Sequence, residues 1–132
     1  EEEREMIPYC QKTGVGLTPW YALASGTLAR PWNGPSTERS THDKFRQAVL
    51  GKGEAADTVL ADRVEEMPKK KGVAMAQVTI ARLLSKKYVT PILGLSKTSR
   101  IDEAVDAVKV KLTDEEISYL EEPYQPKRVT GY

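Results

Sequence analysis

Only two short stretches of this chain read as strands, and helices separate them. The first is Val15-Gly16-Leu17-Thr18-Pro19-Trp20; the second is Val89-Thr90-Pro91-Ile92-Leu93. The first is apolar enough for burial on two faces, and the second is an apolar strand as well. Strands joined through helices pair in parallel, which predicts α/β architecture. Two parallel strands alone make a poor core. Each leaves an unpaired edge, and a parallel sheet needs cover on both faces. A complete α/β barrel takes about 250 residues, whereas this chain has 132. The pattern is that of a slice from a larger parallel fold, read as one domain with a long loop over 24–56.

The helices follow from spacing and caps. Residues 2–12 predict a helix with Met6, Ile7 and Cys10 inward, weakened by Pro8 and ended by Gly14. The opening Glu1-Glu2-Glu3-Arg4-Glu5 reads as an exposed helix turn of something longer. Asp57 is expected to cap a helix over 58–70 with Leu60, Val64 and Met67 inward. Pro68 is expected to end it early; Lys69-Lys70-Lys71 suits a negative helix terminus, and Gly72 the C′ position. A helix over 74–86 carries Val73, Ala76, Ile80 and Leu84 as its stripe, broadened by Leu83. The next helix places Ile101, Val105 and Val108 on one face. Thr113-Asp114-Glu115-Glu116 is a capping box with Leu112 and Ile117 as its staple. That helix ends near Glu122, and 123–132 is expected to be extended.

One loop carries a chemical signal. Gly94-Leu95-Ser96-Lys97-Thr98-Ser99-Arg100 follows the second strand and opens a helix. Gly94 permits a sharp turn or close approach to a ligand. Ser96, Ser99 and the N–H groups at the helix start can donate to phosphate oxygens. Lys97 and Arg100 add positive charge, and Arg can grip a phosphate through two nitrogens. The alternative for both cations is an ordinary exposed loop.

Composition narrows the classes. Hydrophobic residues make up 39% and charged residues 30%, as in a soluble globular chain. Twenty basic and 19 acidic residues leave a net charge of +1, so no nucleic-acid or anionic-membrane partner is expected. No apolar run approaches the roughly 20 residues of a membrane span. The single cysteine, Cys10, excludes an internal disulfide and fits a reducing compartment, the cytoplasm. The single histidine, His42, lies in the long loop, and no second histidine exists to build a metal site.

Four motifs in order resemble the C-terminal part of the aldo-keto reductase family. They are Val15-Gly16-Leu17-Thr18-Pro19-Trp20-Tyr21-Ala22-Leu23-Ala24-Ser25-Gly26, Lys71-Gly72-Val73-Ala74-Met75-Ala76-Gln77-Val78, Leu93-Gly94-Leu95-Ser96-Lys97 with Arg100, and Lys111-Leu112-Thr113-Asp114-Glu115-Glu116-Ile117. Glu121-Glu122-Pro123-Tyr124 resembles fungal members of the aryl-alcohol-dehydrogenase-like branch. The resemblance covers nearly all of this chain but only about the last two fifths of a complete member. It implies the C-terminal portion of a TIM (β/α)8 barrel, with residues 15–20 as its seventh strand and 89–93 as its eighth. It implies a family that transfers hydride from NADPH to an aldehyde or ketone at the C-terminal strand ends.

The resemblance also assigns roles. Trp20 occupies the position that stacks on the nicotinamide ring. Tyr21, Leu23, Ser25 and Leu28 fall where a loop wraps the pyrophosphate, although Tyr21 and Ala22 depart from the usual Ser and Pro. Asn33 falls in a loop that folds over the cofactor. Gly94, Ser96, Lys97 and Arg100 form the loop whose polar residues meet the 2′-phosphate of NADP(H). Glu103 faces the adenine, and Ala104 replaces an adenine-binding Asn. No residue matches the family's catalytic Asp, Tyr, Lys and His, which belong to earlier strands. A tyrosine needs a placed Lys or His to act as an acid near neutral pH, and Tyr9 and Tyr88 have no such context. Two functions follow. One is the cofactor-binding part of a carbonyl reductase, inactive alone, which meets a small carbonyl substrate only in a complete barrel. The other is a non-catalytic nucleotide-binding or protein-interaction module. Self-association through exposed barrel edges is expected of either.

Overall fold

The computed structural model describes residues 4–35 and 55–126, with the side chains of 55 and 56 left aside. His42, most of the 24–56 loop, residues 1–3 and most of the tail lie outside those described residues.

Helix α1 runs Met6–Thr13 and ends on Gly14, whose φ of 76° is left-handed and whose N–H donates to the Cys10 carbonyl. Pro8 does not break it. As the third helical residue it occupies a position whose N–H has no intrahelical acceptor. Ile7 and Cys10 are buried, but Met6, expected inward, is 46% exposed.

The two expected strands do meet in parallel, through one bridge between Leu17 and Val89. Leu17 N–H donates to the Tyr88 carbonyl at 2.8 Å, Thr90 N–H to Leu17 at 2.8 Å, and Ile92 N–H to Pro19 at 3.0 Å. The next ladder donor on the first strand would be position 19, and proline has none. The pairing therefore shrinks to a bridge flanked by hydrogen bonds rather than two full strands. Pro91, between the donors Thr90 and Ile92, points its missing N–H away from this partner, where it blunts the outer edge.

Helix α2 spans Ala55–Lys71. It starts before Asp57, which sits in the first turn rather than at the cap, and it runs through Pro68 instead of stopping there. Pro68 removes a single ladder donor, and the buried Ala61, Val64 and Met67 hold the remaining turn in place. Gly72, at φ 68°, closes the helix with its N–H 2.7 Å from the Pro68 carbonyl. Helix α3 spans Met75–Leu84. Val78 on it is fully buried, whereas Leu84, expected inward, is 38% exposed. Helix α4 spans Thr98–Asp106 and continues into a 3₁₀ turn, Ala107–Lys109. Helix α5 spans Asp114–Glu121 behind the expected capping box: Glu116 N–H donates to Thr113 Oγ1 at 3.2 Å, and Thr113 N–H donates to Glu116 Oε2 at 2.9 Å.

The core gathers Val64 and Met67 of α2, Met75 and Val78 of α3, and Leu120 of α5, with Leu28, Leu60, Val73, Leu112 and Tyr119 packed around it. Ion pairs stitch the same helices. Arg82 and Lys86 both reach Glu121, at 2.9 and 2.6 Å, and Lys71 meets Glu116 at 2.9 Å. Helix α4 turns its apolar face outward. Ile101, Val105 and Val108 are 47%, 61% and 60% exposed, while Ala107 is fully buried. Small residues let α4 lie close to α3, and its apolar stripe faces away from the described core. The architecture is thus mostly helical around one short parallel pairing.

Candidate functional site

A groove of about 570 Å³ opens beside that pairing. One wall is the segment from Trp20 to Arg30, the other runs from Ile92 to Arg100, and Ala76 and Ile80 of α3 form the floor.

The first wall is held in an unusual backbone shape. Tyr21, Ala24 and Ser25 have φ of 68°, 47° and 57°, and Gly26 follows at 86°. For residues with a Cβ this left-handed region is strained, at about 1–3 kcal/mol each, and persists only where surroundings enforce it. Here Ala24 N–H donates to Tyr21 and Gly26 N–H to Leu23, both at 2.8 Å, and Leu28 N–H also reaches Leu23. The result is a 3₁₀ segment, Ala24–Ala29, kinked at Ser25 and Gly26. Its buried Thr27 donates from its hydroxyl to the Ala24 carbonyl. Ser25 Oγ is buried in the groove wall without a hydrogen-bond partner. Such a group costs stability unless something bonds it. Trp20 stands at the mouth, 68% exposed, with its ring 5.0 Å from that of Tyr21.

The second wall is apolar at Ile92, Leu93 and Leu95 and polar where Ser96 and Arg100 join it. Arg100 Nη1 donates to Ser96 Oγ at 3.3 Å, so guanidinium and hydroxyl face the groove as a unit. Lys97 takes the N-cap position of α4 in an extended conformation. Glu103 and Ala104 of α4 also line the groove.

The structure brings most of the expected site residues together. Trp20, Tyr21, Leu23, Ser25, Gly94, Ser96, Arg100 and Glu103 all line the groove. Three do not. Leu28 packs against the core. Lys97 is exposed beside the groove. Asn33 lines a separate hollow against α2, with Asp62, Glu65, Glu66 and Lys69. Arg30, Ala76 and Ile80 line the groove without having been foreseen. Arg30 carries no spacing signal; it enters because the kinked 3₁₀ segment turns the chain back toward α3. Among the described residues no cluster of His, Cys, Asp or Glu could hold a metal ion, and no helix is long and apolar enough to cross a membrane.

Chemically, the groove offers a flat exposed indole, a buried hydroxyl without a partner, and a cation with a paired hydroxyl. These suit a long ligand with an aromatic ring at one end and phosphate groups along its length. A dinucleotide fits that description.

The aldo/keto reductase family model matches residues 1–125. Versiconal hemiacetal acetate reductase of Aspergillus parasiticus is 54% identical over 130 residues, which cover 98% of this chain and 38% of that protein. A putative aryl-alcohol dehydrogenase of Schizosaccharomyces pombe is 49% identical over 133 residues, 99% of this chain and 37% of the relative. Among solved structures, glycerol dehydrogenase from Gluconobacter oxydans superposes with a TM-score of 0.70 at 19% identity, covering 99% of this chain and 42% of that one. A thermostable aldo-keto reductase in complex with the inhibitor epalrestat gives a TM-score of 0.66 at 22% identity, covering 93% and 35%. The chain thus spans well under half the length of the relatives it matches, and its fold corresponds to part of theirs.

Proposed function

This chain belongs to the aldo/keto reductase family, and on that premise we propose that it is the NADPH-holding part of a carbonyl reductase. The observation that carries the reading is the groove itself. Ser25, with its partnerless buried hydroxyl, stands on one wall, and the Ser96–Arg100 pair stands on the other. In this reading Trp20 stacks on the nicotinamide, and the kinked segment from Tyr21 to Leu28 turns its backbone and Ser25 Oγ toward the pyrophosphate. Ser96 and Arg100 bond the 2′-phosphate, with Lys97 adding charge from outside the groove, and Glu103 lies by the adenine. Gly94 lines the second wall where a Cβ would meet nothing within 4 Å, so the wall stays open to the ligand there. Asn33 stands in its separate hollow, outside the groove, and is given no cofactor contact in this reading.

When bound, NADPH supplies the hydride. The residues of this chain bind and orient it. Delivering hydride to a carbonyl leaves negative charge on oxygen, which needs a placed proton donor and electrostatic support. Among the described residues no lysine or histidine lines the groove to make Tyr21 such an acid, so the chain alone is expected to reduce no aldehyde. A small carbonyl substrate enters the reading only within a complete barrel, and the cytoplasm supplies the reduced cofactor.

Titration calorimetry with NADPH and NADH tests this. NADPH should bind more tightly, and Arg100→Ala should erase the difference. Equal affinity for the two cofactors, or a preference that survives Arg100→Ala, would remove the assignment.

A second reading draws on the outward stripe of α4. Ile101, Val105 and Val108 are all exposed, as suits a non-catalytic module whose task is association with protein, including a second copy. Failure to bind either cofactor, together with a stable self-associated species, would favour it.

A further inference from the structure

Helix α3 lies between the two walls of the groove and touches both through side chains. Successive residues of a helix turn by about 100°. Ala76 and Ile80 therefore share one face, and that face is the groove floor. Val78 points the opposite way, into the core. Gln77 and Thr79 leave the helix on the two flanks, each about 80° from the floor direction. Thr79 bonds the segment of the first wall, and Gln77 bonds α4, the helix that carries Arg100 of the second. Thr79 Oγ1 donates to the Leu28 carbonyl at 2.8 Å, in the segment that carries Ser25. The Met75 carbonyl also lies 3.1 Å from that hydroxyl, but it already serves as a ladder acceptor within α3. On the other flank, Gln77 Nε2 donates to the Glu103 carbonyl of α4 at 3.2 Å, and Gln77 Oε1 accepts from Ala74 N–H at 2.9 Å. Thr79 is 6% exposed, and its bond to Leu28 is part-buried.

We propose that Gln77 and Thr79 are positioning residues that set the distance between the two walls, and thereby the groove's selectivity for a dinucleotide over its halves. The inference rests on the cofactor reading and goes beyond it. A ligand that touches both walls depends on their separation. A ligand that touches only the α4 wall does not. The physical reason is geometric: a misplacement of about 1 Å breaks simultaneous contact at two ends while leaving either end intact.

The test compares two probes on the full chain: NADPH, which spans the groove, and adenosine 2′-monophosphate, which needs only the α4 side. Thr79→Val keeps the side-chain shape and removes the hydroxyl donor. It should weaken NADPH by about 5–10-fold, the loss expected for one part-buried hydrogen bond that holds a wall in place. The monophosphate should change by less than about twofold. Thr79→Ser restores the donor and should restore the NADPH affinity. Gln77→Met should show the same selective loss. Parallel weakening of both probes, or a Thr79→Ser variant no better than Thr79→Val, would overturn the inference and leave these residues as packing alone. Unaltered protein that binds neither probe would instead remove the cofactor reading, and this inference with it.

Discussion

Arg63 of α2 grips Tyr119 of α5 twice: its guanidinium lies 4.5 Å over the ring centre, and its Nη1 donates to the Tyr119 backbone carbonyl at 2.6 Å. The same nitrogen meets Glu122 at 2.7 Å, and the Tyr119 hydroxyl donates to Glu66 of α2 at 2.7 Å. A planar cation can stack and hydrogen-bond at once, which an ammonium cannot reproduce. Arg63→Lys should therefore lose nearly as much stability as Arg63→Ala, about 1–2 kcal/mol. Denaturant midpoints would check this, and a Lys variant as stable as the parent would show that charge alone matters.

Val78 is fully buried between α2, α3 and α5. Val78→Ala removes two methyl groups from a packed site and should cost about 2 kcal/mol. By contrast, Val105→Ser removes apolar surface that is already in water and should leave the thermal midpoint unchanged.

The outward stripe bears on association. Paired Val105→Ser and Val108→Ser substitutions should shift sedimentation profiles toward monomer if α4 mediates self-contact. Profiles identical to the parent would place any association elsewhere.

Acid stability has identifiable groups behind it. Burial pushes the Glu121 carboxyl up, but the hydrogen bond from Lys86 and the charges of Arg82 and Lys86 outweigh it and hold the group below its ordinary value. Glu116 is held low chiefly by its bond to Lys71 and then by Thr113 N–H. Carboxyls depressed in the fold bind fewer protons folded than unfolded. Their stabilisation is present above the unfolded value of 4.5 and is lost as pH falls through the lower folded value. Glu121→Gln combined with Glu116→Gln should flatten the decline of stability below that pH. An unchanged acid limb in thermal melts would refute it.

Ser25 couples strain to binding. At φ 57° it is strained, and its buried hydroxyl has no partner. Ser25→Gly relieves both costs and should raise stability by about 0.5–1 kcal/mol. It also deletes the buried hydroxyl of a residue that lines the groove, so on the cofactor reading NADPH affinity should fall. A variant that gains stability and keeps full affinity would exclude Ser25 from the site.

The sequence by itself determined the local devices. Gly14 and Gly72 end their helices in left-handed conformations, and Thr113 with Glu116 forms its box. These depend on residues within one turn of each other, so they are readable in order along the chain. The resemblance of four motifs likewise pointed to the family, and eight of the eleven residues it implied line the groove. Tertiary structure decided which apolar faces are covered. Periodicity shows that Ile101, Val105 and Val108 share a side, but not what lies against it, and the small Ala104 and Ala107 turned that side outward. Pro19 reduced a predicted strand pair to one bridge, because the missing donor mattered only once the partner strand was fixed. The kink at Ser25, the approach of Arg30 and the two flanks of α3 likewise came from contacts between residues far apart in sequence. Distance along the chain hides such contacts, and burial and hydrogen bonding across the fold create them.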